Sequence, residues 1–391
     1  MKERTAGSRR KRVPKKTAAK TPPPFRLTSI APAIAGILTT IVFFAFGDTF
    51  LADLSNHLRT VVLFAFLFGV MMWCAFAVVT HADAVAEYLG EPYGTLILTL
   101  SVIVIEVALL ASIMIHGENN PTLARDAMFA TLMIVLNGMV GIALLIGALR
   151  YWEQDYNLAG ARSFLVVITA LSVFALILPN YTKTPPDPIN APGKAWMFLA
   201  VTLLFYGVFL AIQTLRHRAF FDEPAEAVAA SPKRGDRKAT TGSLAYHVAM
   251  LILSLLPVVL LAEYLAVIVD YGIEDLDLPD ELGGILIAIL VLAPEALTAF
   301  HAALANRLQR AVNVCLGSAL STIGLTIPAV LLIGMVTGRD VHLGLTGTET
   351  VLLVLTLFIS GLTFGGGRTN VLQGVVHLLL FFVYILLIFS P

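Results

Sequence analysis

Eleven apolar stretches follow one another along this chain, at about 28–46, 58–80, 94–116, 127–149, 163–179, 195–215, 244–269, 283–304, 311–337, 349–364 and 371–389. A helix that crosses the hydrocarbon layer needs roughly 20 apolar residues, and inside lipid its backbone N–H and C=O groups must pair within the helix itself. The pattern therefore dictates an all-α polytopic membrane protein of about 11 transmembrane helices. Composition agrees: 58% of the 391 residues are hydrophobic and 13% are charged, whereas soluble domains carry about 25% charge. Cys74 and Cys315 both fall inside apolar spans, so they are expected as buried thiols and not as a disulfide.

Residues 1–26 are a basic arm with ten Lys or Arg and one acid, Glu3. Such an arm is too polar to pack and reads as disordered. The apolar span after it is long and followed by many others, so it does not read as a cleaved signal peptide. Its charge is expected to hold the N-terminus in the cytoplasm and to meet anionic lipid, not nucleic acid. With that orientation, 21 of the 26 Lys and Arg lie on the cytoplasmic side; Arg59, Arg125, Lys183, Lys194 and Arg339 lie outside. The bias follows the positive-inside rule for a multi-pass protein of the cytoplasmic membrane. The segment 81–93, with His81, Asp83, Glu87 and Glu91, reads as a cytoplasmic loop that lacks a basic residue.

The odd number of spans has a geometric consequence. With the first span and its loop (27–57) set aside, ten spans divide into two fives, 58–215 and 244–391, joined by a polar cytoplasmic loop at 216–243. Five is odd, so the two halves enter the membrane from opposite sides. The expected fold is one N-terminal helix plus two inverted five-helix repeats. In that architecture secondary transporters bind their substrate near the midplane.

Each half carries one carboxylate in the middle of its second span. These are Glu106 and Glu295, 189 residues apart. An acid at that depth costs about 3 kcal/mol on insertion scales, so it must face protein or a wet cavity. Thr95 and Thr99 share a helical side with Glu106, and Thr298 and Asn306 lie near the side of Glu295. Pro294 removes one hydrogen bond from its helix and frees a carbonyl near Leu290. The span after each acid is rich in small and polar residues, Thr131, Asn137, Gly138 and Gly141 in one half. In the other half they are Asn313, Gly317, Ser318, Ser321, Thr322, Gly324 and Thr326. Small residues let helices approach, and hydroxyls and amides bond across the contact. The candidate cation ligands are Glu106, Glu295, Thr99, Asn137, Thr298, Ser318, Ser321 and Thr322.

This is an all-oxygen set, suited to a hard cation such as Ca²⁺, which takes six to eight oxygens. No Cys or His stands beside either glutamate at soft-metal spacing. Desolvation favours the neutral form of a carboxyl group, so an empty pair takes up protons and an arriving cation displaces them. Competition of cation and proton for one pair is antiport, and no further cofactor is called for. Na⁺ or K⁺ in place of Ca²⁺ is an alternative, as is a cation channel. A membrane metallohydrolase would need histidines spaced as ligands on a helix, and none of the eight is so placed. The acidic loop 270–281 reads either as a cation funnel or as a solubilising loop. Gly365 to Gly367 read as a tight turn; Gln373 and His377 read as pathway residues or interhelical hydrogen bonders.

Three runs carry a family resemblance: HADAVAEYLGEPYGTLILTLSVIVIEVALL at 81–110, LAPEAL with QRAVNVCLGSALSTIGLTIP at 292–297 and 309–328, and GRTNVLQGVVHL at 367–378. They resemble the bacterial ChaA-type antiporters, Ca²⁺(Na⁺)/H⁺ exchangers of the calcium/cation antiporter superfamily, from about residue 58 to the end. The resemblance implies ten core helices in two inverted repeats, an additional N-terminal helix, and Glu106 and Glu295 as the ion-binding acids. The chain departs from related exchangers where Ser101 to Ile105 stands in place of a Gly-Asn-Ala run. Its central loop has only Asp222, Glu223 and Glu226 among basic residues, where many relatives have a dense acidic segment.

Overall fold

The computed structural model describes residues 27–89, 93–116, 121–182, 192–221, 243–279 and 281–389. The basic arm, Glu91, Asp280 and the loop interior at 222–242 lie outside the described residues. Eleven helical spans are present among the described residues. The first six are α1 (Leu27–Leu51), α2 (His57–Leu89), α3 (Tyr93–His116), α4 (Leu123–Tyr151), α5 (Leu158–Tyr181) and α6 (Ala195–Arg216). The remaining five are α7 (Leu244–Asp275), α8 (Glu281–Leu304), α9 (Leu308–Thr337), α10 (Gly347–Thr363) and α11 (Val371–Phe389). Nine are long and apolar enough to cross a bilayer, with shorter apolar stretches at Thr99–Ile115 and Gly347–Thr363. One antiparallel pairing, β1 (Gln154–Asp155) with β2 (Arg368–Thr369), ties the α4–α5 turn to the α10–α11 turn.

Two expected loops are helix instead. α2 has 33 residues and α7 has 32, so each is about 50 Å long at 1.5 Å per residue, well beyond bilayer thickness. The expected cytoplasmic loop at 81–93 is helical through Leu89, and the acidic loop at 270–281 is helical through Asp275. The residues there are good helix formers, and packing prolongs the helix once one face has a partner. His81, expected in a loop, is 3% exposed. Its Nδ1 lies 3.0 Å from Nδ1 of His247 on α7.

α1 is seated on this long pair. A Cβ at Gly36 would stand 2.6 Å from Cys74 Sγ and 2.8 Å from Pro257 Cβ, so only glycine permits the approach. Cys74 and Cys315 are free and buried.

Burial separates inner helices from outer ones. In α4 and α9, 72% and 67% of the span is buried, against 22% in α6 and α11. Both inner helices loosen into a π turn near their middles, at Ile134–Met139 and Thr322–Thr326. Single π turns inside helices gather at functional sites. In α9 the turn comes just before Pro328, which has no N–H to continue the α-helical ladder. α4 in turn packs on α8 through Gly284, where a Cβ would stand 2.9 Å from the N and Cα of Ala127.

Candidate functional site

Glu106 sits on α3 with 4% of its surface exposed and accepts a 3.0 Å hydrogen bond from Thr322 Oγ1. Glu295 sits on α8, half-buried, and accepts a hydrogen bond from Ser318 Oγ. Ser318 and Thr322 belong to α9 and are four residues apart, so they lie one above the other on one face, about 6 Å apart. One face of α9 therefore holds the two glutamates, each from a different half of the chain. They are near enough for the charge of Glu295 to act on Glu106. Asp83 of α2 acts likewise on Glu295, and Arg310, in the first turn of α9, acts on Asp83. A line of charge thus runs from the pair toward the membrane face where α2 ends and α9 begins.

The other candidate ligands are distributed differently. Thr298 Oγ1 donates to the carbonyl of Pro294 (3.1 Å), and Ser321 Oγ donates to the carbonyl of Ser318 (3.0 Å). Thr99 is half-buried on α3, seven residues before Glu106. Asn137 is fully buried in a separate network. Its Nδ2 donates to Thr356 Oγ1 at 2.9 Å, and its Oδ1 lies 3.2 Å from His377 Nδ1. His377 Nε2 lies 3.0 Å from Thr363 Oγ1. An amide oxygen only accepts, so His377 carries its proton on Nδ1 and takes the Thr363 hydroxyl hydrogen on Nε2. This network joins α4, α10 and α11, and it engages both ends of the Asn137 amide.

Asn306 lies beyond the end of α8 at φ +58° and accepts from Gln154 Nε2 at 3.0 Å. Gln373 Oε1 accepts from the Asn370 N–H (2.7 Å) at the start of α11. Gly367 has φ +77° in the turn before β2, a conformation glycine adopts freely.

One residue that belongs beside the pair was not in the candidate set. Thr326 is fully buried on α9 and comes alongside Glu106, where its hydroxyl acts on that carboxylate as a hydrogen-bonding neighbour beside Thr322. The spacing 318, 322, 326 was the signal, a ladder of hydroxyls at every fourth residue. Among the described residues no group of three or more His, Cys, Asp or Glu could hold a metal ion. The chemistry available is thus two carboxylates and a row of hydroxyls, which can exchange protons for a hard cation. A mostly apolar crevice of about 320 Å³ opens elsewhere, between the start of α2, the end of α7 and α8; His57, Phe64, Tyr271 and Leu286 are part of its lining.

The model of the sodium/calcium exchanger protein family matches residues 59–215 and 246–390. The chain belongs to this exchanger family. It is thereby a member of the calcium/cation antiporter superfamily, a transporter and not an enzyme, and a multi-pass protein of the bacterial inner membrane. This exchanger is 41% identical over 336 residues to y4hA of Sinorhizobium fredii, whose name marks it as an inferred ionic transporter; the match covers 85% of this chain and 90% of that one. It is 35% identical over 354 residues to the sodium-potassium/proton antiporter ChaA of Escherichia coli, covering 90% and 94%. Among solved structures, native YfkE superposes with a TM-score of 0.68 at 17% identity, covering 93% of this chain and 100% of that one. The H⁺/Ca²⁺ exchanger CAX gives 0.65 at 13%, covering 92% and 87%. These two likenesses concern the fold.

Proposed function

We propose that this protein is a secondary cation/proton antiporter in which Glu106 and Glu295 bind Ca²⁺ and protons in turn. The observation that carries the reading is the meeting of two acids, one from each half, on the Ser318–Thr322 face of α9. Two bare carboxylates in a low-dielectric interior are costly, so the pair crosses the membrane only when neutralised. One Ca²⁺ or two protons neutralise it equally, and this equivalence couples the two fluxes. A cation leaves as protons arrive, and the uncharged loaded site can pass from one face to the other. The halves are read as inverted five-helix repeats with the N-terminus in the cytoplasm. The π turns of α4 and α9 at matching positions support this reading, as does the family model's fit to two successive segments.

A second reading has its own support. The Escherichia coli relative is named a sodium-potassium/proton antiporter, and a monovalent cation together with one proton also neutralises the pair. Purified protein in liposomes, given Ca²⁺, Na⁺ and K⁺ in turn with a pH-sensitive dye inside, separates the readings. Calcium-driven proton release is expected, and it should be lost in Glu106→Gln and in Glu295→Gln. Exchange by either variant at the wild-type rate would reject the pair as the site. Proton release with Na⁺ or K⁺ but not Ca²⁺ would assign the monovalent substrate.

A further inference from the structure

The crevice of about 320 Å³ lies where α2 begins, α7 ends and α8 begins. Its rim holds His57, the first residue of α2, with Tyr271 and Asp275, the last residue of α7. Phe64 and Ile268, each seven residues further into its helix, and Leu286 of α8 line the deeper part. Seven residues of helix span about 10 Å, so the crevice runs from headgroup level into the hydrocarbon layer. Val61 of α2 and Ile289 of α8, on the neighbouring surface, are exposed, so the crevice opens sideways toward lipid. The rim is acidic. Asp275 Oδ2 lies 3.2 Å from His57 Nδ1, and Asp275 Oδ1 accepts from the Tyr271 hydroxyl at 3.3 Å. The segment 270–281 carries five further acids and no Lys or Arg. Among the described residues no Lys or Arg lines the crevice. Arg59, two residues after His57, is committed elsewhere: it donates to the carbonyls of Thr49 and Phe50 at the end of α1, at 3.1 and 3.2 Å.

An apolar slot with a carboxylate at its mouth discriminates among the lipids that meet it. Any acyl chain gains by leaving the slot walls covered, but a headgroup of net negative charge meets like charge at the rim. A primary ammonium instead forms a charge-assisted hydrogen bond with the carboxylate. We propose that this crevice is a binding site for an aminophospholipid, with one acyl chain along Phe64, Ile268 and Leu286 and the headgroup ammonium on Asp275. A lipid seated there joins α8, the helix of Glu295, to α2 and α7.

The test reads lipid retention and does not depend on transport. Full-length protein is placed in nanodiscs of equal phosphatidylethanolamine and phosphatidylglycerol, released into mild detergent and weighed by native mass spectrometry. A single retained phospholipid per chain is expected, with phosphatidylethanolamine enriched about fivefold over phosphatidylglycerol, the effect of about 1 kcal/mol from a partly exposed ion pair. Asp275→Asn should abolish that preference while a lipid is still retained. Leu286→Trp fills the deep end and should expel the lipid of either kind. Leu332→Trp, on an exposed apolar position of α9, is the control and should retain it. Asp275 stands at a partly exposed rim, so its variant decides the headgroup question even where the tryptophan variant does not fold. Equal retention of the two lipids by the wild type would overturn the inference, as would a preference that survives Asp275→Asn. A dimer that carries no lipid would also overturn it, and would assign the crevice to a second copy of the chain.

Discussion

Ser318 and Thr322 stand one turn apart on α9, and each gives its hydroxyl hydrogen to a different buried glutamate. Each donor favours the ion of its carboxylate over the neutral acid, in opposition to burial, which favours the neutral form. Removing one donor shifts the balance toward the proton. With hydrogen bonds to charged groups worth about 1.5–3 kcal/mol, Ser318→Ala or Thr322→Val should weaken cation binding at fixed pH by about ten- to a hundredfold. Titration of cation-driven proton release in liposomes measures this, and an unchanged half-saturating concentration would contradict it.

Competition also fixes the sign of the pH dependence. Protons occupy the same oxygens as the cation, so acidification must raise the half-saturating cation concentration and alkalinisation must lower it. Where two protons are displaced together, the change approaches about a hundredfold per pH unit; with one proton it approaches about tenfold. Cation titrations at a series of pH values give the slope directly, and a flat line would exclude a shared site.

Asn137 behaves differently from the α9 hydroxyls. Its amide is tied to Thr356 and His377, and His377 is tied to Thr363. Asn137→Leu removes the acceptor of His377 Nδ1 and the donor to Thr356 Oγ1, at about 1–3 kcal/mol for each buried atom left unsatisfied. The expected result is a lower melting temperature with the cation affinity of the surviving protein unchanged. Thermal unfolding in detergent together with transport titration separates these two effects.

Gly284 brings α8, the helix of Glu295, against the backbone of α4. Gly284→Ala places a methyl group 2.9 Å from Ala127 backbone atoms, which have no side-chain freedom with which to yield. Overpacking of this kind costs about 1–3 kcal/mol, and parting the helices should also reduce exchange. Gly272→Ala on α7 meets nothing within 4 Å and serves as the neutral control. Equal behaviour of the two variants would show that the contact does not constrain the helix.

The sequence by itself determined that the chain is a helical membrane protein with two mid-span acids. Both conclusions follow from the absence of water in lipid, which makes the length of apolar runs and the rarity of buried charge decisive. The pairing of Glu106 and Glu295 was legible as symmetry, and Ser318 and Thr322 as polar residues in the span that follows. Which hydrogen bonds these side chains make was not legible. Thr298 and Ser321 donate their hydroxyl hydrogens to their own helices, and Asn137 is bonded to His377 on a helix 240 residues away. The reach of α2 and α7 past the expected ends likewise came from packing, since a stretch such as Ala82–Leu89 becomes helix or loop according to whether its face finds a partner. Helical spacing says which side chains share a side. Only the tertiary structure decides which polar atoms are already spent, because each hydrogen bond is a competition among neighbours that the linear sequence does not bring together.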